Sequence, residues 1–160
     1  MKADPQRSPP RSCSDCALRR APGVVPVTPQ ELRCIQDFRS STRRVASGQA
    51  IISECHAPGK LFTLYDGWAF RYKTLADGRR QILNFLLPGD FIGLQVEFAD
   101  EATHGVEALT DVQLCVFPQD GLWNLFHQEP KLGYDVTWLC ASEEQLVGEN
   151  LVTVGRRSAA

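Results

Sequence analysis

The sequence predicts a mainly β protein: a β-jelly roll with flanking helices, followed by one long C-terminal helix. Seven short apolar runs succeed one another from about residue 42, and turn residues separate them. After Pro118 the apolar spacing changes to that of a helix. A chain of 160 residues can bury the core of one such domain without disulfide bonds.

Residues 1–23 are predicted to form a flexible arm. They are rich in Pro, Arg and Ser and carry almost no large apolar side chain, so burial would not offset the entropy lost on ordering them. The arm contains a Cys-x-x-Cys pair, Cys13 and Cys16. Half of a metal site, a redox-active thiol pair and an unliganded pair all fit that spacing.

Residues 24–129 are predicted to form the jelly roll and its short flanking helices. The Thr-Pro-Gln-Glu run at 28–31 is a helix start, and an amphipathic helix should follow to about Arg39. Asp66-Gly67 and Asp77-Gly78 supply the positive φ that tight hairpins require. The expected strands are TRRVA, AIISEC, KLFTLY, AFRYKTL, QILNFLL, GVEAL and VQLCVF.

Residues 130–160 predict one long helix that carries apolar side chains on two stripes. One stripe would suffice for packing on a roll, so the second indicates a partner helix, which a second copy of the chain could supply. The alternative is a wide face that packs only on the roll. The candidates for a dimer contact are Val136, Leu139, Cys140, Leu146, Val147, Leu151 and Val154.

Charge and composition exclude several classes of protein. The 17 basic and 19 acidic residues give a net charge of −2, which creates no overall field that would attract nucleic acid. We find neither a signal peptide nor a membrane span, and we expect a cytoplasmic protein with no membrane partner. The three histidines, His56, His104 and His127, form no metal-binding pattern, and no catalytic motif is present. We therefore predict no enzyme and assign no catalytic residue.

The stretch FTLYDGWAFRYKTLADGRRQILNFLLPGDFIGLQ at 62–96 resembles the sensor domain of the Crp/Fnr superfamily of transcription regulators, in its Fnr-like branch. The resemblance covers about residues 28–160. It implies a jelly roll like a cyclic nucleotide-binding domain, a dimerisation helix, and regulation of transcription by a redox, oxygen or small-molecule signal. A stand-alone, cupin-like binding protein is the alternative. The resemblance makes these residues candidates for the effector pocket: Gly89, Asp90, Phe91, Ile92, Gly93, Leu94 and Thr103.

Two departures from the family pattern limit what the resemblance implies. Nucleotide-binding members carry a Glu and an Arg where this sequence has Leu94 and, near the second position, Ala102. We therefore expect no tight binding of a cyclic nucleotide. Family members also continue into a helix-turn-helix module, whereas this sequence ends at Ala160. We expect no DNA-reading module here, and only indirect contact with DNA through a homodimer or a heterodimer with a full-length relative.

The cysteines suggest a cofactor only through the resemblance. Oxygen-sensing members hold a [4Fe–4S] cluster on arm cysteines and one cysteine of a late strand, and Cys13, Cys16 and Cys115 are similar in placement. A further arm cysteine would fall at Val24, and four thiolates are normally required. Cys34, which lies outside this pattern, is a candidate for the fourth thiolate. We assign no metal, and we expect Cys55 and Cys140 to pack in a strand and in the long helix.

Overall fold

The computed structural model describes residues 12–21, 23–57, 59–94 and 101–156. Within them, eight strands form two four-stranded antiparallel sheets, in the orders β1-β8-β3-β6 and β2-β7-β4-β5. The strands are β1 Ser41–Val45, β2 Ala50–Ile52, β3 Lys60–Asp66, β4 Ala69–Thr74, β5 Arg80–Leu86, β6 Phe91–Ile92, β7 Gly105–Ala108 and β8 Val112–Pro118. The helices are α1 Pro29–Phe38, α2 Leu122–Gln128 and α3 Pro130–Arg156. The predicted jelly roll with a long C-terminal helix is confirmed.

Strand β8 is buried on both of its faces. Leu114 and Val116 point into the core between the two sheets, whereas Cys115 and Phe117 point outward into a second apolar cluster with α1, α2 and α3. Both faces are therefore apolar, which explains why VQLCVF shows no alternation of polar and apolar residues. The helices and the N-terminal segment cover the outer face of the β1-β8-β3-β6 sheet.

Helix α1 begins as the Thr-Pro-Gln-Glu run predicted. The Glu31 amide donates to the Thr28 hydroxyl at 3.2 Å, and the Thr28 amide donates to the Glu31 carboxylate at 2.5 Å. Lys131 at the start of α3 pairs with the same carboxylate at 3.0 Å. These hydrogen bonds and the Lys131 ammonium lower the pKa of Glu31, so one carboxylate caps α1 and ties it to α3.

The N-terminal segment departs from the flexible arm predicted for residues 1–23. Cys13–Asp15 and Ala17–Arg20 are 3₁₀ turns, and Cys13, Cys16 and Leu18 are buried. The prediction counted only large apolar side chains, but small ones suffice where a glycine lets the backbone approach. Gly89 has φ +109°, and a Cβ there would lie 2.9 Å from the Leu18 nitrogen. Residues 1–11 and 22 lie outside the described chain.

The segment then continues along the start of α3. The indole of Trp138 lies over Gly23, where any side chain would overlap it. The Val25 amide donates to the Asp135 carboxylate at 3.3 Å, and Lys131 donates to the Pro26 carbonyl at 2.6 Å. The chain before α1 is thus fastened to α3 over its first two turns.

Two cysteines are more exposed than expected. The strand predicted to reach Cys55 ends at Ile52, and Cys55 is exposed in a turn with φ +59°. Cys140 lies on α3 as predicted but is also exposed. Neither thiol fills the apolar core.

Candidate functional site

A cavity lies between the β2-β7-β4-β5 sheet, β6 and α3. Its volume is about 410 Å³, which suits a small organic ligand. The roll supplies one wall and α3 supplies the other. It is lined by Arg71, Leu83, Asn84, Phe91, Gly93, Leu94, His104, Leu139, Cys140, Glu143, Glu144 and Val147.

We call this space the effector cavity, because predicted effector residues line it. Arg71 of β4 joins its two walls. The residue is only 6% exposed. Its Nη2 donates to the Phe91 carbonyl at 2.9 Å and pairs with Glu143 Oε1 on α3 at 2.6 Å. A buried guanidinium needs such partners, because an unpaired charge in the interior is strongly destabilising. The contact therefore couples the position of α3 to the roll.

Burial sets the protonation of the other titratable groups here. It raises the pKa of Glu143, which Arg71 opposes and the nearby Asp90 reinforces. It also raises the pKa of Asp90 itself. Burial, together with the positive charges of Arg71 and Lys73, lowers the pKa of His104 to about 4. His104 is therefore a neutral ring at neutral pH, able to donate and to accept one hydrogen bond.

Asn84 of β5 gives the cavity an open acceptor. The residue is 8% exposed, and its Oδ1 has no hydrogen-bond partner among the described residues. Buried amide oxygens are normally paired. A ligand with an N–H or O–H group, or an ordered water, would satisfy this atom.

The predicted effector residues divide into three groups. Phe91, Gly93 and Leu94 line the cavity. Glycine is favoured at position 93 because its φ is +97° and because a Cβ there would lie 3.1 Å from the Lys60 carbonyl oxygen. Ile92 is fully buried in the core of the roll. The others flank the cavity: Gly89 and Asp90 lie in the turn before β6, and Thr103 is exposed beside His104.

Sequence reasoning missed Arg71, Asn84 and Glu143. Arg71 stands within the apolar run AFRYKTL, and a charge inside a strand of a buried sheet requires a partner, which was the available signal. The identity of that partner was not readable, because Glu143 lies 72 residues further along the chain.

A cyclic phosphate does not fit the described lining of this cavity. Among those lining residues the guanidinium is that of Arg71, which Glu143 already neutralises. Glu144 adds a further carboxylate, and Leu94 adds an apolar side chain. A phosphate here would have to displace Glu143 and then face two carboxylates.

The three cysteines named as redox or cluster candidates lie close together. Cys13, Cys16 and Cys115 line a separate cavity of about 20 Å³ on the outer face of β8, between the N-terminal segment and the sheet. Burial raises the pKa of Cys16 and of Cys115, which favours their thiol forms. Cys34 does not line this cavity, and its Sγ lies 3.6 Å from the Glu129 carboxylate.

This arrangement does not fit a [4Fe–4S] cluster. Such a cluster normally takes four thiolates, and three thiols are present. Across the described ranges, no group of three or more His, Cys, Asp or Glu side chains is placed to hold a metal ion. Cys13 and Cys16 of the N-terminal segment lie against Cys115 on the outer face of β8.

Helix α3 presents the predicted dimer residues in two ways. In its first half, Val136 and Leu139 are partly buried against the roll. Exposure rises along the second half, to 52% at Leu146 and 72% at Leu151, and Val147 is half exposed although it lines the effector cavity. The side chain of Val154 lies outside the described structure. Coverage thus differs between the first and second halves of the helix, and both apolar stripes are exposed in the second half.

Comparison with known proteins agrees with this architecture. A family model described as the cyclic nucleotide-binding domain matches residues 42–129, more than half of the chain. The nitrogen fixation regulation protein FixK of Bradyrhizobium diazoefficiens is 32% identical over 149 residues, which are 92% of this chain and 61% of that protein. The transcriptional activator FnrL of Cereibacter sphaeroides is 25% identical over 147 residues, 92% of this chain and 58% of that protein. The chain thus spans about three-fifths of these relatives.

Solved structures show the same fold. A cyclic nucleotide-binding domain from Methylobacillus flagellatus superposes with a TM-score of 0.73 at 15% identity and covers 89% of this chain and 83% of that one. The roll, the long helix and the matched stretch of sequence all agree. The chain therefore belongs to the cyclic nucleotide-binding domain family, as a sensor domain of the Crp/Fnr superfamily.

Proposed function

We propose that this chain is the sensory and dimerisation part of a Crp/Fnr-type transcription regulator. The observation that carries the proposal is the Arg71–Glu143 pair, which joins the roll to α3 inside a cavity of ligand size. A molecule that binds there contacts both walls at once. Its binding would therefore favour one position of α3 over another.

The signal is a small molecule that carries a hydrogen-bond donor and no phosphate. The unpaired Asn84 oxygen supports a donor, and the carboxylates of Glu143 and Glu144 disfavour an anion. The raised pKa of Glu143 means that proton uptake weakens its pairing with Arg71 at a higher pH than for an exposed Glu. A ligand that competes for either partner would have the same effect on α3.

The output is a change in how α3 packs on a partner chain. Leu146, Leu151 and Val152 are more than half exposed, and a second copy of the chain or a full-length relative would cover them. The cytoplasm is the compartment of a transcription regulator in bacteria, and we infer no enzymatic reaction because the relatives are regulators. Among the described helices, none is both long and apolar enough to cross a membrane.

Sedimentation of matched variants tests the coupling. Glu143→Gln removes the charge that holds Arg71 to α3, and Glu144→Gln removes a neighbouring carboxylate that pairs with no described group. We expect a micromolar dimer whose dissociation constant changes at least about fivefold in Glu143→Gln and stays the same in Glu144→Gln. A strictly monomeric wild type at high micromolar concentration contradicts the dimer. An equal response of both variants contradicts the coupling.

Two further measurements test the expected chemistry. Calorimetry should detect no micromolar binding of cyclic AMP or cyclic GMP, because the phosphate lacks a free guanidinium partner.

Metal analysis of anaerobically purified protein should find neither zinc nor iron with sulfide. Either metal at one equivalent per chain would show that the three thiols hold it with an additional ligand.

A further inference from the structure

A second cavity lies on the other side of the wall formed by Phe91 and Leu139, which line both cavities. Its volume is about 60 Å³. The N-terminal segment, α1, α2, α3 and the outer face of the β1-β8-β3-β6 sheet enclose it. Its walls are mainly apolar and include four phenylalanines, Phe38, Phe91, Phe117 and Phe126.

Two charged side chains line this second cavity, and each has an unpaired polar atom. Arg19 of the N-terminal segment has a buried Nε atom, and Asp135 of α3 has a buried Oδ2 atom. Neither atom has a hydrogen-bond partner among the described residues. Asp135 is 5% exposed, and its other oxygen accepts from the Val25 amide at 3.3 Å. No ion pair joins the two residues in the described chain. A buried donor and a buried acceptor thus stand unsatisfied at one apolar cavity, which native proteins rarely leave so.

We propose that the second cavity binds a short-chain alcohol. A hydroxyl group both accepts and donates hydrogen bonds, so it is the kind of neutral group that would suit the Arg19 Nε–H and the Asp135 Oδ2 together. An anionic ligand would meet the Asp135 carboxylate, and a cationic one would meet the Arg19 guanidinium. The alkyl stem would lie against the phenylalanine rings, which a water molecule in the same place would leave uncovered.

The volume limits the size of this alcohol. An apolar cavity of roughly 150 Å³ accommodates a benzene ring, and one water occupies about 30 Å³ of liquid. The second cavity, at about 60 Å³, is smaller than a ring and larger than one water. Ethanol and 1-propanol are therefore the matching size class.

Binding would connect the N-terminal segment to α3. Arg19 belongs to the segment that packs on Gly89, and Asp135 belongs to the helix that carries the proposed dimer contact. An alcohol between them would stabilise the docked segment. This site is separate from the effector cavity, and the proposal stands whether or not that cavity binds its own signal.

Amide chemical shifts in a titration with 1-propanol test the proposal. We expect shifts at Leu18, Val24 and Val136 around the second cavity and none at Leu83 or Asn84 in the effector cavity. Propionate and propylammonium have the same chain length and carry charges, and they should cause no shifts at these positions. Saturation transfer to 1-propanol gives an independent readout of binding.

Two variants locate the binding site. Asp135→Asn replaces one of the two acceptor oxygens with a donor NH2 group. This variant should weaken 1-propanol binding roughly tenfold. The matched control is Glu149→Gln, which alters an exposed carboxylate on the same helix and should leave binding unchanged. If Asp135→Asn fails to fold, Val136→Phe, which fills the cavity, should abolish the shifts.

Three results would overturn the proposal. One is the absence of shifts and of saturation transfer at 100 mM 1-propanol, which would mean that water alone occupies the cavity. Another is an equal response to propionate. The third is unchanged binding in the folded Asp135 or Val136 variant.

Discussion

At the scale of single residues, Arg71 is buried and donates hydrogen bonds to acceptors on two elements. Phe91 supplies a carbonyl from β6, and Glu143 supplies a carboxylate from α3. Burial raises the pKa of Glu143, although the Arg71 guanidinium acts to lower it. The pair therefore adds little net stability, whereas removal of one partner leaves a charge stranded.

A double-mutant cycle measures this asymmetry. Arg71→Met and Glu143→Leu should each lower the free energy of unfolding by about 1–3 kcal/mol, because the remaining charge is partly buried. The double variant should lose clearly less than the sum, since no charge is left unpaired. Urea unfolding at pH 7 measures all four proteins. Additive losses would mean that the two side chains do not interact.

His104 makes stability depend on pH in the acid range. Its pKa is about 4 in the folded chain and 6.5 when unperturbed, so the unfolded state binds more protons between these values. The stability that this neutral ring allows is present above pH 6.5 and is lost as pH falls towards 4. Glu143 and Asp90, with raised pKa values, act in the opposite direction, since their contribution falls as pH rises through those values.

The variant His104→Gln isolates this contribution. Between pH 7 and pH 5, wild type should lose roughly 1–2 kcal/mol more than His104→Gln, because only wild type carries a ring that must stay neutral on folding. Urea unfolding at the two pH values gives the difference directly. Equal losses in the two proteins would show that His104 titrates normally.

At the scale of elements, the N-terminal segment depends on a glycine of a distant turn. Gly89 has φ +109° and the Leu18 nitrogen above it, whereas Gly78 has φ +82° and open space where a Cβ would stand. A side chain at Gly78 would therefore meet backbone strain alone, whereas a side chain at Gly89 would also overlap the N-terminal segment. Buried Cys13 and Cys16 report whether the segment stays docked.

Alanine at these two positions should act differently. Gly78→Ala should cost about 1 kcal/mol of stability through strain alone. Gly89→Ala should cost more and should also expose Cys13 and Cys16 to alkylation, at rates closer to that of exposed Cys55. Mass spectrometry of the timed reaction with iodoacetamide reads each thiol. Unchanged protection in Gly89→Ala would show that the segment does not need this contact.

Local patterns predicted the elements well and their long-range contacts poorly. Apolar periodicity and turn residues gave the strands and α3, because both depend on residues close in sequence. Docking of Cys13 and Cys16 depends on Gly89 and on the outer face of β8, which composition does not reveal. Phe91 and Gly93 were predicted as effector candidates through the family resemblance, whereas the cavity residues Arg71 and Glu143 required the fold.

At the scale of the whole molecule, the described residues cover the second half of α3 incompletely. Asn150 still reaches the roll, donating to the Leu83 carbonyl at 3.2 Å, but Leu151 and Val152 beside it are exposed. A helix that keeps apolar side chains at its far end favours association with another chain. Stability of the single chain and association of two chains should therefore respond to different residues.

Leu151→Glu separates the two properties. Because Leu151 is 72% exposed, the free energy of unfolding of the variant should lie within about 0.5 kcal/mol of the wild-type value. A charge in an apolar helix contact should raise the dimer dissociation constant at least roughly tenfold. Analytical ultracentrifugation measures the association. Gln145→Glu, an exposed charge change on the same helix, is the control and should alter neither property.

The Arg71–Glu143 pair also sets the axial register of α3. Leu139 and Val147 lie about one helical turn on either side of Glu143, and both line the same cavity. A slide of α3 along its axis by one turn, about 5.4 Å, would place an aliphatic side chain against the guanidinium and leave it without a counter-charge. Tilting and rotation about this fixed point keep the pair intact. As long as the pair is intact, a displacement of α3 therefore moves the far end of the helix sideways and does not translate the helix lengthwise.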